Sequence, residues 1–167
     1  MPNIRLDDID MRILNALQDD SGLSNVDLAA RVGLSPSPCL TRVRALEQSG
    51  VIMRRVALLD PVLLGADVNV FIQITLDKQT ETLLAKFEAA MENLPEVMEC
   101  YLMSGDADYL LRVLVPDIGA LRNFIVDRLS KTPGVMNIRS SFALKQAKYK
   151  TALPIEQLAI QQRRRSS

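Results

Sequence analysis

The spacing of apolar residues changes character once along this chain. Up to residue 50 it keeps a helical period; beyond residue 66 it alternates in short runs set between helical ones. Leu6, Ile9, Ile13, Leu14 and Leu17 predict a first helix, opened by Asp7 and Asp8 and ending near Asp19, Asp20, Ser21 and Gly22. Val26, Leu28, Ala29 and Val32 predict a second. Ser24 suits its N-cap, and Asp27 in its first turn suits the positive end of the helix dipole. Gly33 then permits a turn that a β-carbon opposes. Ser35 is another N-cap candidate, and Pro36 follows at the first helical position, where a missing amide proton is no loss. Pro38 still falls within that first turn. The third helix runs to about Ser49, with Gly50 as terminator.

Projected at about 100° per residue, Leu40, Val43 and Leu46 form the core stripe of this third helix, with Glu47 on the same side. Ser37, Pro38, Thr41, Arg44, Ala45 and Gln48 face outward, with Arg42 on the flank. A short amphipathic helix, a glycine turn and a helix with a small, polar, basic outer face make the pattern of a helix-turn-helix reader. On this segment alone a second reading stays open: Arg42 and Arg44 merely solvate an outer face.

Residues 51–59 are rich in branched side chains and predict an extended segment, either a wing strand or a linker strand that pairs with another copy. Asp60 and Pro61 interrupt it, and Pro61 to Gly65 predict one helical turn. The strict alternation of Val68, Val70, Ile72, Ile74 and Leu76 predicts a strand with one buried face. Thr80 caps a helix carrying Leu83, Leu84, Phe87, Ala90, Met91 and Leu94, which Pro95 ends. Residues 97–103 and 108–115 predict a hairpin around Ser104, Gly105, Asp106 and Ala107. Asp117 caps a last helix with Ile118, Leu121, Phe124, Ile125 and Leu129 on its apolar stripe. Pro133 and Gly134 break it before a final strand from Val135 to about Lys145.

The fold class is thus α+β: a three-helix helix-turn-helix domain followed by a ferredoxin-like βαββαβ unit, an antiparallel sheet with both helices on one face. The expected boundaries are 1–50 for the helical domain, 51–66 for the strand linker, 67–150 for the βαββαβ domain and 151–167 for a tail. A second copy is the expected cover for the open sheet face. In the tail, Ile155, Leu158 and Ala159 recur at helical spacing before Arg163, Arg164 and Arg165.

Composition narrows the functions. Twenty basic and twenty acidic residues cancel, so basic charge is local: residues 31–55 hold Arg31, Arg42, Arg44, Arg54 and Arg55 against Glu47 alone. There is no histidine, and Cys39 and Cys100 are the only cysteines. That removes Ser/His and Cys/His catalysis and leaves no zinc set, so neither an enzyme nor a metal protein is expected, and no cofactor. A disulfide between two such distant cysteines is not expected. No apolar run approaches the roughly 18 to 20 residues that span a bilayer, and no signal segment opens the chain. A cytoplasmic protein with no membrane partner is the expectation.

Three stretches resemble the Lrp/AsnC, or feast/famine, family of transcription regulators. The first is Leu6-Asp7-Asp8-Ile9-Asp10 leading into Ile13-Leu14-Asn15-Ala16-Leu17-Gln18. The second is Ser24-Asn25-Val26-Asp27-Leu28, with Arg31-Val32-Gly33-Leu34-Ser35-Pro36-Ser37-Pro38-Cys39-Leu40 and Arg42-Val43. The third is Ser104-Gly105-Asp106-Ala107-Asp108-Tyr109-Leu110-Leu111, with Val115-Pro116-Asp117 and later Pro133-Gly134-Val135. The resemblance implies a DNA-binding domain, a strand linker and an amino-acid-sensing domain. It implies homodimers paired through their sheets and often gathered into octamers. It also implies an amino-acid effector held near dimer–dimer contacts around a Gly-x-x-Asp turn. In this chain that turn is Gly105 to Asp108, flanked by Leu102, Met103, Ser104 and Tyr109. The last strand contributes around Ser140, Ser141, Phe142 and Ala143.

The residues themselves allow such a site. Turn amides with Gly105 among them can hold a carboxylate, while Asp106 or Asp108 can hold an ammonium. Asp and Gly also occur there simply because hairpin turns favour them. Double-stranded DNA is the expected macromolecular partner. The backbone amides near Ser35 to Ser37, together with Arg42 and Arg44, are expected at phosphates, and Ser37, Pro38, Thr41 and Arg44 near base edges. The alternative function is a broadly binding architectural DNA protein that senses no ligand.

Overall fold

The computed structural model describes residues 6–158. The chain divides into two compact units. One comprises Met1–Leu58 together with Lys148–Ser167, of which residues 6–58 and 148–158 are described; the other is Leu59–Ala147.

In the first unit α1 (Asp8–Asp19), α2 (Asn25–Val32) and α3 (Pro36–Gln48) form a three-helix core. Asp7 caps α1 in a reciprocal box with Asp10: its carboxylate accepts from the amides of Ile9 and Asp10, and its own amide donates to Asp10. Ser24 caps α2, accepting from the Asp27 amide. Gly33 ends α2 at φ 77°, in the left-handed region that makes the tight turn into α3. The buried stripe of α3 is Cys39, Val43 and Leu46, spaced i, i+4, i+7. Leu40, expected in that stripe, is exposed, and the small Cys39 takes its place at 0 % exposure.

Val51 and Ile52 pack on this core, and the Ile52 amide donates to the Leu46 carbonyl. From Met53 to Asp60 the segment is exposed and forms no strand: it takes part in neither a wing hairpin nor a ladder with any described residue. The turn at Pro61 is present, with the Leu64 and Ala66 amides donating to the Pro61 carbonyl. The described part of the tail returns to the first unit. The Gln18 side chain makes two bonds to the backbone of Leu153, and Ile155 packs against the helical core. Ala159 and Arg163 to Arg165 lie outside the described residues.

The second unit is a four-stranded antiparallel sheet in the order β2-β3-β1-β4. Its strands are β1 (Val68–Leu76), β2 (Val97–Leu102), β3 (Tyr109–Val115) and β4 (Val135–Phe142). Between β1 and β2 lies α4 (Glu81–Glu92), capped by Thr80; between β3 and β4 lies α5 (Ile118–Asn123), capped by Asp117. Val70, Ile72, Ile74, Leu111 and Val113 are fully buried with Phe87, Met91, Leu121, Phe124 and Leu129. The alternation read from the sequence thus becomes a face covered by helices. Ile118, expected in the apolar stripe, is exposed in the first turn of α5. The helix then widens into a π turn (Phe124–Arg128) and a 3-10 turn (Leu129–Lys131). A π turn brings residues five apart onto one face, which is how Phe124 and Leu129 are both buried. The opposite sheet face carries Asn69, Phe71, Gln73, Leu110, Arg112, Glu99 and Tyr101, all half-buried or exposed.

Candidate nucleic-acid interface and effector site

The first turn of α3 is chemically unusual. Ser35 stands at the N-cap, yet its side chain makes no capping bond. Pro36 and Pro38 have no amide proton, so of residues 35–38 only Ser35 and Ser37 have an amide to offer, beside two hydroxyls. Ser35, Ser37, Pro38, Thr41 and Arg44 are all exposed, and Thr41 donates its hydroxyl to the Ser37 carbonyl. Asn25, at the start of α2, donates its side-chain amide to the Pro36 carbonyl over 2.8 Å and so ties the beginnings of the two helices together. Sequence reading missed this tie.

The two arginines of α3 differ. Arg44 is exposed and has no ion pair or side-chain hydrogen bond among the described residues. Arg42 is half-buried, with Nη1 2.7 Å from Asp7 Oδ2 and 2.8 Å from Asp10 Oδ1. It was expected at a phosphate; here its guanidinium is already engaged by two carboxylates. The bonds from the Asp10 amide and from Arg42 hold the Asp7 carboxyl below the usual carboxylate range.

In the second unit the turn after β2 carries Met103, Ser104, Gly105 and Asp106, all exposed. The Met103 amide donates to the Asp108 carbonyl and closes the turn over 2.8 Å, and Gly105 sits at φ 137°, a conformation that disfavours other residues. The two aspartates part company. Asp106 is exposed. Asp108 is buried, and its carboxylate accepts from the Leu76 amide over 2.7 Å and from the Gln79 side chain. Asp108 therefore braces the end of β1, and it does not face outward as an ammonium partner would need to. Tyr109 is also turned inward: its ring lies 4.6 Å from that of Phe87 and its hydroxyl donates to Glu88. Burial, then Glu88, raises its pKa.

Leu102 and Tyr109 line a cleft of about 360 Å³ between α4 and β2, with Glu88, Met91, Glu92 and Cys100. Burial and the neighbouring Glu88 push the Cys100 thiol up to about 11. Sequence reading did not anticipate this cleft, because it depends on how α4 lies on the sheet.

Ser140, Ser141 and Phe142 are exposed on β4. Ser141 pairs with Phe71 of β1, whereas Tyr109, beside the turn, pairs with Ile74. Three residues of strand separate these positions along β1, about 10 Å at the usual rise. The turn and the last strand are not brought together within one chain. No group of histidine, cysteine or carboxylate side chains that could hold a metal occurs among the described residues, and none of their helices is long and apolar enough to cross a membrane.

Two family models match the chain: a winged helix-turn-helix DNA-binding model over residues 6–53 and the Lrp/AsnC ligand binding domain over residues 69–153. The leucine-responsive regulatory protein of Salmonella typhimurium is 45% identical over 155 residues, covering 93% of this chain and 94% of that protein. That of Escherichia coli is 44% identical over the same shares. Among solved structures, a transcriptional regulator of Neisseria meningitidis in complex with L-Met superposes with a TM-score of 0.87 at 38% identity, covering 92% of this chain and 99% of that one. An AsnC family transcriptional regulator from Agrobacterium tumefaciens gives 0.86 at 45% identity, covering 92% and 99%.

The two aspartates of the turn make a direct comparison. Asp108→Ala leaves the buried Leu76 amide without its acceptor and is expected to cost about 1–3 kcal/mol in urea unfolding. Asp106→Ala, on the exposed turn, is expected to stay within about 0.5 kcal/mol of the parent.

Proposed function

Since the chain belongs to the Lrp/AsnC family of transcriptional regulators, we propose that it reads operator DNA as a homodimer through the outer face of α3 and answers to an amino acid bound at the β2–β3 turn. The observation that carries the DNA half is the bare polar face of α3. Ser35, Ser37, Pro38, Thr41 and Arg44 are exposed together, and Arg44 has no partner among the described residues. Serine and threonine hydroxyls and a free guanidinium suit base edges and phosphates, while proline rings suit thymine methyls. Two such helices in a dimer meet successive major grooves when they stand about 34 Å apart. A regulator of this kind works in the compartment that holds the DNA, here taken as the cytoplasm.

The effector half rests on the turn. The amides around Gly105 and its left-handed backbone offer a carboxylate site, and exposed Asp106 offers a partner for an ammonium. That a similar regulator was solved with L-Met supports an amino acid as the class of ligand. The distance between the turn and Ser141 and Phe142 within one chain favours a pocket completed by a second chain. Met103, Ser104, Gly105 and Asp106 then form one wall, and Ser141 and Phe142 of another copy form the other. Leu102 and Tyr109 support the turn, and Asp108 braces it from inside. The part-apolar open face of the sheet supports pairing into dimers, with assembly of dimers into octamers as the state the ligand biases. A ligand shifts that assembly only by the difference in its affinity for the states.

Two measurements test these halves separately. Arg44→Ala is expected to weaken binding to duplex DNA selected by the parent protein and to lower the salt slope by about one, as loss of a phosphate contact does. Unchanged affinity and slope contradict the assignment. In a thermal-shift screen against the twenty amino acids, at least one is expected to raise the melting temperature, by an amount that grows with its concentration above Kd. Asp106→Ala is expected to remove that rise. No rise with any amino acid favours a ligand-independent, broadly binding DNA protein.

A further inference from the structure

Arg42 and the N-terminus of α1 form a single polar assembly. Asp7 Oδ1 accepts from the amides of Ile9 and Asp10, at 2.9 and 2.8 Å, while Asp7 Oδ2 takes Arg42 Nη1 at 2.7 Å. Asp10 divides its oxygens in the same way, Oδ2 to the Asp7 amide at 3.2 Å and Oδ1 to Arg42 at 2.8 Å. Both carboxylates are thus aimed by the backbone of α1 before Arg42 arrives. An isolated surface pair is weak because both side chains must be ordered to make it; here one side is ordered already and the pair is a network of three.

The place of the contact matters as much as its geometry. Arg42 is the seventh of the thirteen residues of α3, at the middle of the helix. The apolar stripe is narrow, only Cys39, Val43 and Leu46 being buried, and a narrow stripe allows a helix to roll. A fixed tether on the flank opposes that roll. The charges also argue against a DNA contact. One guanidinium with two carboxylates leaves a local excess of negative charge, which repels a phosphate. Arg44 carries no such burden.

We propose that Arg42 is the positioning residue of the DNA-reading helix: held by Asp7 and Asp10, it sets the roll of α3 on α1 and makes no contact with DNA. This rests on the reading of α3 as the helix that enters the groove. Arg42 acts through the faces of Ser37, Thr41 and Arg44, whose reach to base edges depends on the roll.

The test uses the full chain and two duplexes of equal length, one selected from a random library by the parent protein and one a scrambled version of it. Arg42→Gln and Asp10→Asn are each expected to weaken binding to the selected duplex about tenfold, the size of one weakened base contact, with the scrambled duplex bound no more weakly than by the parent. The salt slope for Arg42→Gln is expected to stay at the parent value. Asp10→Glu, which keeps both an acceptor for the Asp7 amide and a carboxylate for Arg42, is expected to retain most of the parent affinity, and unchanged binding of the scrambled duplex by Arg42→Gln and Asp10→Asn shows that they fold. A slope lower by about one in Arg42→Gln overturns the proposal, since that marks a lost phosphate contact. So does tighter binding of the selected duplex by Asp10→Asn, since that is what releasing a DNA-contacting arginine would do. A selection that enriches no sequence overturns the reading of α3 itself, and the proposal with it.

Discussion

The burial of Cys39, Val43 and Leu46 among Ile13, Ala29 and Val32 is the contact on which the outer face of α3, the surface proposed to meet DNA, depends. α3 has little else to keep it helical or in place. It is thirteen residues long, its N-cap serine makes no side-chain bond, and it carries no acidic residue in its first turn. A helix of that length is marginal by itself in water. Its order comes from the neighbours: the apolar stripe below, the Asn25 tie at its start and the carboxylates of α1 on its flank. Because those ties use the inner and flanking faces, the outer face keeps the hydroxyls of Ser35 and Ser37 and the guanidinium of Arg44 without partners among the described residues, which is what a surface built for another molecule looks like.

The second unit follows the same logic with a sheet in place of a helix. β1 lies between β3 and β4, and its inward side chains are fully buried. That rigid centre fixes the turn after β2 from below, through Asp108 and the end of β1. The turn itself is left outside, with its glycine and its exposed aspartate. A braced turn with a free tip can hold a small zwitterion without reorganising. On the proposed function, a pocket completed there by a second copy makes binding depend on which copies stand nearby, and that is the physical basis for linking a ligand to assembly.

Much of this was legible in the sequence because the signals are local. Ser24, Gly33, Thr80 and Asp117 mark helix ends through bonds or backbone shapes spanning a few residues, and all four act as read. The alternation in β1 reports its buried face directly. What was not legible depends on partners far along the chain or on phase. Cys39 replaces Leu40 in the core because the spacing i, i+4, i+7 fits the facing helices, and the ideal projection has no knowledge of them. Ile118 is exposed because it stands at the first position of α5, while Leu129 is buried as read, five residues after Phe124 across a π turn that the sequence does not announce. Arg42 meets carboxylates 32 and 35 residues away, and Asp108 turns inward to an amide 32 residues away. From sequence alone each is simply a charged residue on a promising element. The extended segment after Ile52 has the composition of a strand, yet a strand exists only where it pairs, and among the described residues this segment pairs with nothing.

On the proposed function the amino-acid site and the DNA-reading helix belong to one linked system. Linkage makes that claim quantitative. The affinity of the selected duplex is measured by titration with and without a saturating amino acid identified by thermal shift. The affinity of that amino acid is then measured by calorimetry on free and on DNA-bound protein. Both pairs are expected to change by the same factor, different from one. A factor of one in both pairs would contradict it.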